Sequence, residues 1–129
     1  MNIKSYKDLI VWRKAMDLAA EVHLLSKVFP KEELYGLASQ VRRAAISVPS
    51  NIAEGQARQS TAEFLNFLSI AQGSLAEVET QIALAQRFHY VTAEATAKVG
   101  SLAVEISKML FSLRAKLTAK KNWPLTTNH

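Results

Sequence analysis

Gln40–Arg58, Q-V-R-R-A-A-I-S-V-P-S-N-I-A-E-G-Q-A-R, contains Pro49, the one proline that falls inside a patterned segment; Pro30 and Pro124 sit at segment ends. The apolar residues run straight through it. Leu34, Ala38, Val41, Ala45, Val48 and Ile52 follow one another at alternating spacings of four and three, the stripe of a helix packed into a bundle. A helix broken at Pro49 has no reason to keep phase across the break. The stretch is therefore read as one helix kinked at Pro49, which cannot donate to the Ala45 carbonyl and whose ring disfavours helical geometry at Val48. Ser47, Ser50 and Asn51 cluster there, placed to serve the freed backbone groups. The competing reading is a break, with Asn51-x-x-Glu54 forming a capping box for a new helix. The kinked helix is preferred because the stripe is continuous.

Outward from this segment the same period recurs. Before it, Val11, Ala15, Leu18, Val22, Leu25 and Phe29 predict a helix from about Lys7 to Val28, with Ser5 as its cap and Phe29-Pro30 as its end. The kinked helix itself is predicted from about Lys31 to Ala57, opened by Glu32 and Glu33 in its first turn. Ser60-Thr61-Ala62-Glu63 is a capping box that starts a third helix. Its core stripe is Phe64, Leu68, Ala71, Leu75, Val78, Ile82 and Ala85. A parallel line of small residues, Ser69, Gly73, Ala76, Thr80 and Ala83, predicts close approach of a neighbouring helix, since Gly73 costs a helix interior about 1 kcal/mol against alanine. The next turn lacks a glycine, which leaves His89 as the residue best able to take left-handed backbone. Thr92 then caps a fourth helix to about Ala119, with Ala95, Val99, Leu102, Ile106, Met109 and Leu113 as its stripe. Residues 120–129, with Trp123-Pro124, read as a frayed tail; Trp123 can dock on the bundle or serve an interface.

Four amphipathic helices joined by short turns, with no strand pattern between them, give an all-α fold. It is an antiparallel up-down-up-down four-helix bundle, a single domain over residues 1–119. Ile10, Leu24, Tyr35, Ile46, Leu65, Phe67 and Phe111 miss the core stripes and suggest a partner surface, most simply a second copy of the chain.

The 129 residues are 49% apolar and 21% charged, contain no cysteine and carry a net charge of +5. That composition fits a soluble, cytoplasmic chain with no disulfide, thiolate metal site, signal peptide or membrane span. His23, His89 and His129 form no metal-ligand pair. There is no phosphate-binding glycine loop and no nucleophile motif, so no catalytic residue, cofactor or metal is assigned and an enzyme is not expected. The charge is uneven: from Ile106 onward the chain carries Lys108, Arg114, Lys116, Lys120 and Lys121 and no carboxylate. These five form the candidate nucleic-acid surface; the competing reading is that they complement a helix C-terminus. In a hairpin turning near Gln59, Arg42 or Arg43 comes level with Glu77. An intrachain ion pair is favoured there over phosphate contacts by the arginines.

Y-K-D-L-I-V-W-R-K-A (Tyr6–Ala15), F-P-K-E-E-L-Y-G-L-A-S-Q-V-R-R-A-A-I-S-V-P-S-N-I-A-E-G (Phe29–Gly55) and R-Q-S-T-A-E-F-L-N-F-L-S-I-A-Q-G-S-L-A-E-V-E-T (Arg58–Thr80) together resemble the 23S rRNA intervening-sequence proteins. The label S23 ribosomal protein is sometimes attached to that family. The likeness spans roughly residues 5–115; His89 departs from it, standing where the family usually has a glycine. The resemblance implies a small antiparallel four-helix bundle that assembles into ring-shaped homopentamers, and it implies no enzyme activity. Related bundles are accessory proteins of diversity-generating retroelements that bind nucleic acid through a basic surface. Two readings of function stand side by side: an oligomeric RNA-binding module, and a protein–protein adaptor whose charge serves solubility.

Overall fold

The computed structural model describes residues 5–121, with the side chains of Asp8 and Lys121 left out of the description. Four helices carry the chain: α1 (Ile10–Ser26), α2 (Leu37–Gln56), α3 (Thr61–Arg87) and α4 (Ala97–Lys121). Single 3-10 turns at Tyr6–Asp8 and Lys31–Glu33 precede α1 and α2, and no strand occurs among the described residues. Each helix packs on its chain neighbours, and α4 closes the ring against α1.

The cross-helix contacts give the directions. Lys14 pairs with Glu105 and Glu21 with Lys98, so seven steps up α1 are seven steps down α4. Ser47 meets Ser74, and Gly55 meets Phe64 and Phe67. Gln72 meets Ser107 and Gln86 meets Thr96. These partners therefore run antiparallel. Between them lies one core whose fully buried centre includes Leu18, Ile52, Leu68, Leu75, Ile106 and Leu110. Each such side chain contributes about 1.5–3 kcal/mol on leaving water.

The helix through Pro49 is unbroken, and Pro49 is buried inside it. Asn51 does not serve the carbonyl that Pro49 frees, which is that of Ala45: its Nδ2 donates to the carbonyl and the hydroxyl of Ser47, both at 2.8 Å. At the other end of α2 the expectation fails. The helix starts at Leu37, not Lys31, because Lys31–Glu33 make only one 3-10 turn and Gly36 leaves helical geometry (φ −112°, ψ −115°). The Glu33 carboxylate then caps the new start, Oε1 accepting the Leu37 N–H at 2.9 Å. Leu34, put out of phase by this turn, is exposed and not part of the core.

The Glu33 carboxylate also ties two turns together. Its Oε2 accepts the Tyr90 hydroxyl at 2.7 Å, joining the entry of α2 to the connection after α3. The Leu37 amide, and then the Tyr90 hydroxyl, hold the Glu33 carboxyl below its ordinary value. The same hydrogen bond, assisted by desolvation and the negative charge, pushes the Tyr90 phenol up. In that connection His89 has φ 62°, the left-handed backbone expected of it.

Helix α1 is shorter than its pattern, and Ser5 caps the preceding 3-10 turn, accepting the Lys7 N–H at 3.2 Å. Helix α3 starts as read: Ser60 Oγ accepts the Glu63 N–H at 3.1 Å, and all seven residues of its stripe are buried. Thr92 accepts the Ala95 N–H at 3.1 Å but caps a turn, and α4 starts only at Ala97. Ala95 is therefore exposed and Met109 only half-buried, while Ala103, Leu110 and Leu117 join the core. Helix α4 is continuous past Ala119 to Lys121, the last described residue; the tail from 122, with Trp123-Pro124, lies outside the described residues.

The small-residue line of α3 is a further correction. Ser69, Gly73, Ala76, Thr80 and Ala83 are all exposed, and a Cβ on Gly73 would meet nothing within 4 Å. The close approach occurs at Gly55, where a Cβ would lie 2.7 Å from the Phe67 Cβ and 3.0 Å from the Phe64 ring. Ile10, Leu24, Tyr35, Ile46 and Phe111 are exposed as expected; Leu65 and Phe67 are instead half-buried, Leu65 packing on the core.

Candidate nucleic-acid interface

The five cations of the C-terminal segment do not form one patch. Lys116 and Lys120 are four apart on α4 and share an exposed face. They line a depression of about 500 Å³ with Arg58, Gln59, Ser60 and Thr61, over Phe64 and Leu117. Arg114 is drawn inward: Nη1 donates to Gln72 Oε1 at 3.0 Å, and Gln72 in turn donates to Ser107 at 3.4 Å. It bridges α4 to α3. Lys108 is exposed but two turns below Lys116, about 12 Å along the axis. The Lys121 side chain lies outside the described residues.

Arg58 is the cation that composition alone does not add to this group. It lies within the α2–α3 turn, and antiparallel packing brings that turn beside the last described turns of α4. Its guanidinium lies 4.8 Å from the Phe67 ring centroid and 3.7 Å from the Glu54 carboxylate. Arg58 and Glu54 are both close to half exposed, so the pair is of the surface kind, worth about 0–1 kcal/mol. The signal for Arg58 in the sequence is its position: next to Gln59, in a hairpin turn that must meet the end of the fourth helix.

The arginines of α2 separate. Arg42 Nε donates to the buried Ser26 hydroxyl at 2.6 Å, and that hydroxyl donates to the His23 carbonyl at 2.9 Å. Arg42 is therefore a structural link between α2 and the end of α1. Arg43 is exposed and stands level with Glu77 across the α2–α3 groove, four residues before Ser47 and three after Ser74. The expected ion pair is not made. Among the described residues the ion pairs are Lys14–Glu105, Lys98–Glu21 and Arg58–Glu54.

No group of three metal-ligating side chains is found among the described residues, and no helix there is long and apolar enough to cross a membrane.

The model of the family described as 23S rRNA-intervening sequence protein matches residues 7–112. A crystal structure from Bacteroides thetaiotaomicron, described as a protein with unknown function from the S23 ribosomal protein family, is similar with a TM-score of 0.76. Its sequence is 29% identical, and the match covers 81% of this chain and 98% of that one. No curated protein matches the chain. With a four-helix fold, a helix running through Pro49 and a family match over most of its length, the chain belongs to the 23S rRNA-intervening sequence protein family.

Proposed function

We propose that this protein is a cytoplasmic, non-enzymatic, homo-oligomeric bundle, a pentamer, that binds RNA through the end of the bundle where α2, α3 and α4 meet. The observation that carries the reading is the convergence of Arg58 with Lys116 and Lys120 in one open depression, with no carboxylate among its lining residues. Lysines and an arginine on an open concave surface suit phosphate oxygens, and such contacts are tolerant of sequence. Exposed Ile10, Met16, Leu24, Ile46 and Phe111 supply apolar surface for contact between copies. A ring presents several depressions to one RNA and raises the effective concentration of each, which three cations on a single copy need.

The test is a salt titration of RNA binding, with light scattering to follow the oligomer. Replacing Arg58, Lys116 and Lys120 with alanine is expected to weaken binding and to make the log–log salt slope shallower by about 2–3 if each loses one phosphate. An unchanged slope and affinity would remove the depression from the mechanism. If the wild type fails to bind RNA at low salt, the adaptor reading takes its place. A mass of one chain at micromolar concentration would overturn the assembly.

A further inference from the structure

Higher on the same hairpin, α2 and α3 enclose a polar groove of about 550 Å³, within the range of small-ligand sites. Ser47 and Ser74 close its lower end with a 2.8 Å hydrogen bond, and Asn51 donates to the same Ser47 hydroxyl. Above them Arg43 and Glu77 face each other without an ion pair. One turn beyond Glu77 on the same face, the Gln81 side-chain oxygen is buried with no hydrogen-bond partner among the described residues. At the upper end Tyr35 is 93% exposed, its ring supported by no aromatic neighbour among the described residues.

The geometry points to this groove as a binding site for an unpaired guanine base, stacked on Tyr35, with its donor edge on Glu77 and its acceptor edge toward Arg43. The inference rests on the RNA-binding reading. A carboxylate only accepts, so it selects a ligand edge with adjacent donors. Guanine offers N1–H and N2–H side by side. Adenine and cytosine each offer one donor beside an acceptor, and uracil offers one donor between two acceptors. On guanine's other edge O6 and N7 are the acceptors that arginine takes bidentately. An arginine or lysine side chain would also satisfy Glu77, but it would bring a second cation against Arg43. Stacking of an unpaired base on an exposed aromatic ring is the common mode of single-stranded RNA recognition.

The experiment titrates 5′-GMP, AMP, CMP and UMP separately into the isotope-labelled wild-type protein and reads amide shifts. GMP is expected to move the amides of residues 35–47 and 74–81 and to bind roughly 10- to 100-fold more tightly than AMP, the discrimination expected of one bidentate base contact. Glu77→Gln should abolish that preference, and Arg43→Gln should weaken it. The melting temperature of both variants should stay at the wild-type value. Equal response to all four nucleotides, or none, would overturn the proposal. So would a double-mutant cycle in which Arg43 and Glu77 are coupled in stability, because the groove would then be closed by their ion pair. Dissociation of the oligomer in Glu77→Gln would mark the groove as an interface between copies and overturn it as well. RNA binding that keeps its salt slope but shows no guanine preference removes this site alone. Preferential GMP binding without any RNA binding removes the proposed function and leaves a guanine-nucleotide site.

Discussion

The hairpin of α2 and α3 is held differently at its two ends. Near the turn, Gly55 lets α3 approach until Phe64 and Phe67 lie against the α2 backbone, and packing alone fills the space. Three turns up the same helix, Arg43 and Glu77 stand at equal level across a groove that neither closes. Beyond it, the entry of α2 is tied by hydrogen bonds from Leu37 and Tyr90 to one carboxylate, Glu33. The size and polarity of the facing residues decide which arrangement forms. Absence of a side chain brings backbones together; long polar side chains leave a gap.

If that contrast is right, Gly55→Ala gives the largest effect. The added methyl meets the Phe67 Cβ, which is close to the backbone and cannot swing aside. Overpacking of this kind costs about 1–3 kcal/mol, read as a lower urea midpoint with unchanged slope. An unchanged midpoint would mean that the two helices are not in close contact there.

Gly73→Ala tests the opposite case on α3 and should stabilise. The position is exposed, mid-helix and free of neighbours within 4 Å, so alanine gains about 0.5–1 kcal/mol from helix propensity. A lower midpoint, or loss of the oligomer, would show that another copy packs on this face.

The smallest effect separates the two ends by pH. Glu33 has a carboxyl held below its ordinary value near 4.5. Its contribution is therefore complete above the unfolded value and is lost as pH falls through the lower folded one. Glu33→Gln should flatten that part of the acid stability profile and leave the Gly55 end unaffected. An identical profile in the variant would mean that the carboxylate does not hold the entry of α2.

Much of the architecture was legible because it depends on local pattern. The stripe of α3 and the capping box at Ser60 need only spacing, and His89 stood out because the turn had no glycine. The continuity of α2 through Pro49 could be read from phase, because a broken helix would have lost it. The late start of α2 was not legible: Leu34 keeps the four-residue spacing to Ala38, and only the Gly36 backbone and the Glu33 cap reveal the break. The two glycines show the same limit. Gly55 and Gly73 are alike in sequence, and what stands opposite each is a tertiary fact. The candidate interface was half legible. Charge counting found Lys116 and Lys120, but it included Arg114, which bridges to Gln72, and omitted Arg58, which chain reversal delivers.

The seam between α1 and α4 bears on how the chain reaches this arrangement. Ser47 and Ser74 are 27 residues apart, whereas Lys14 and Glu105 are separated by 91. By loop-closure entropy alone the longer closure costs about 1 kcal/mol more. The other packing contacts join consecutive helices, which places the chain among fast-folding, low-contact-order topologies. The α2–α3 hairpin can therefore form as a unit before α1 and α4 meet. The α1–α4 seam is held at its edge by partly exposed ion pairs, Lys14–Glu105 and Lys98–Glu21, rather than by a glycine-mediated approach. In kinetic terms the α1–α4 seam is the longest closure that the chain has to make.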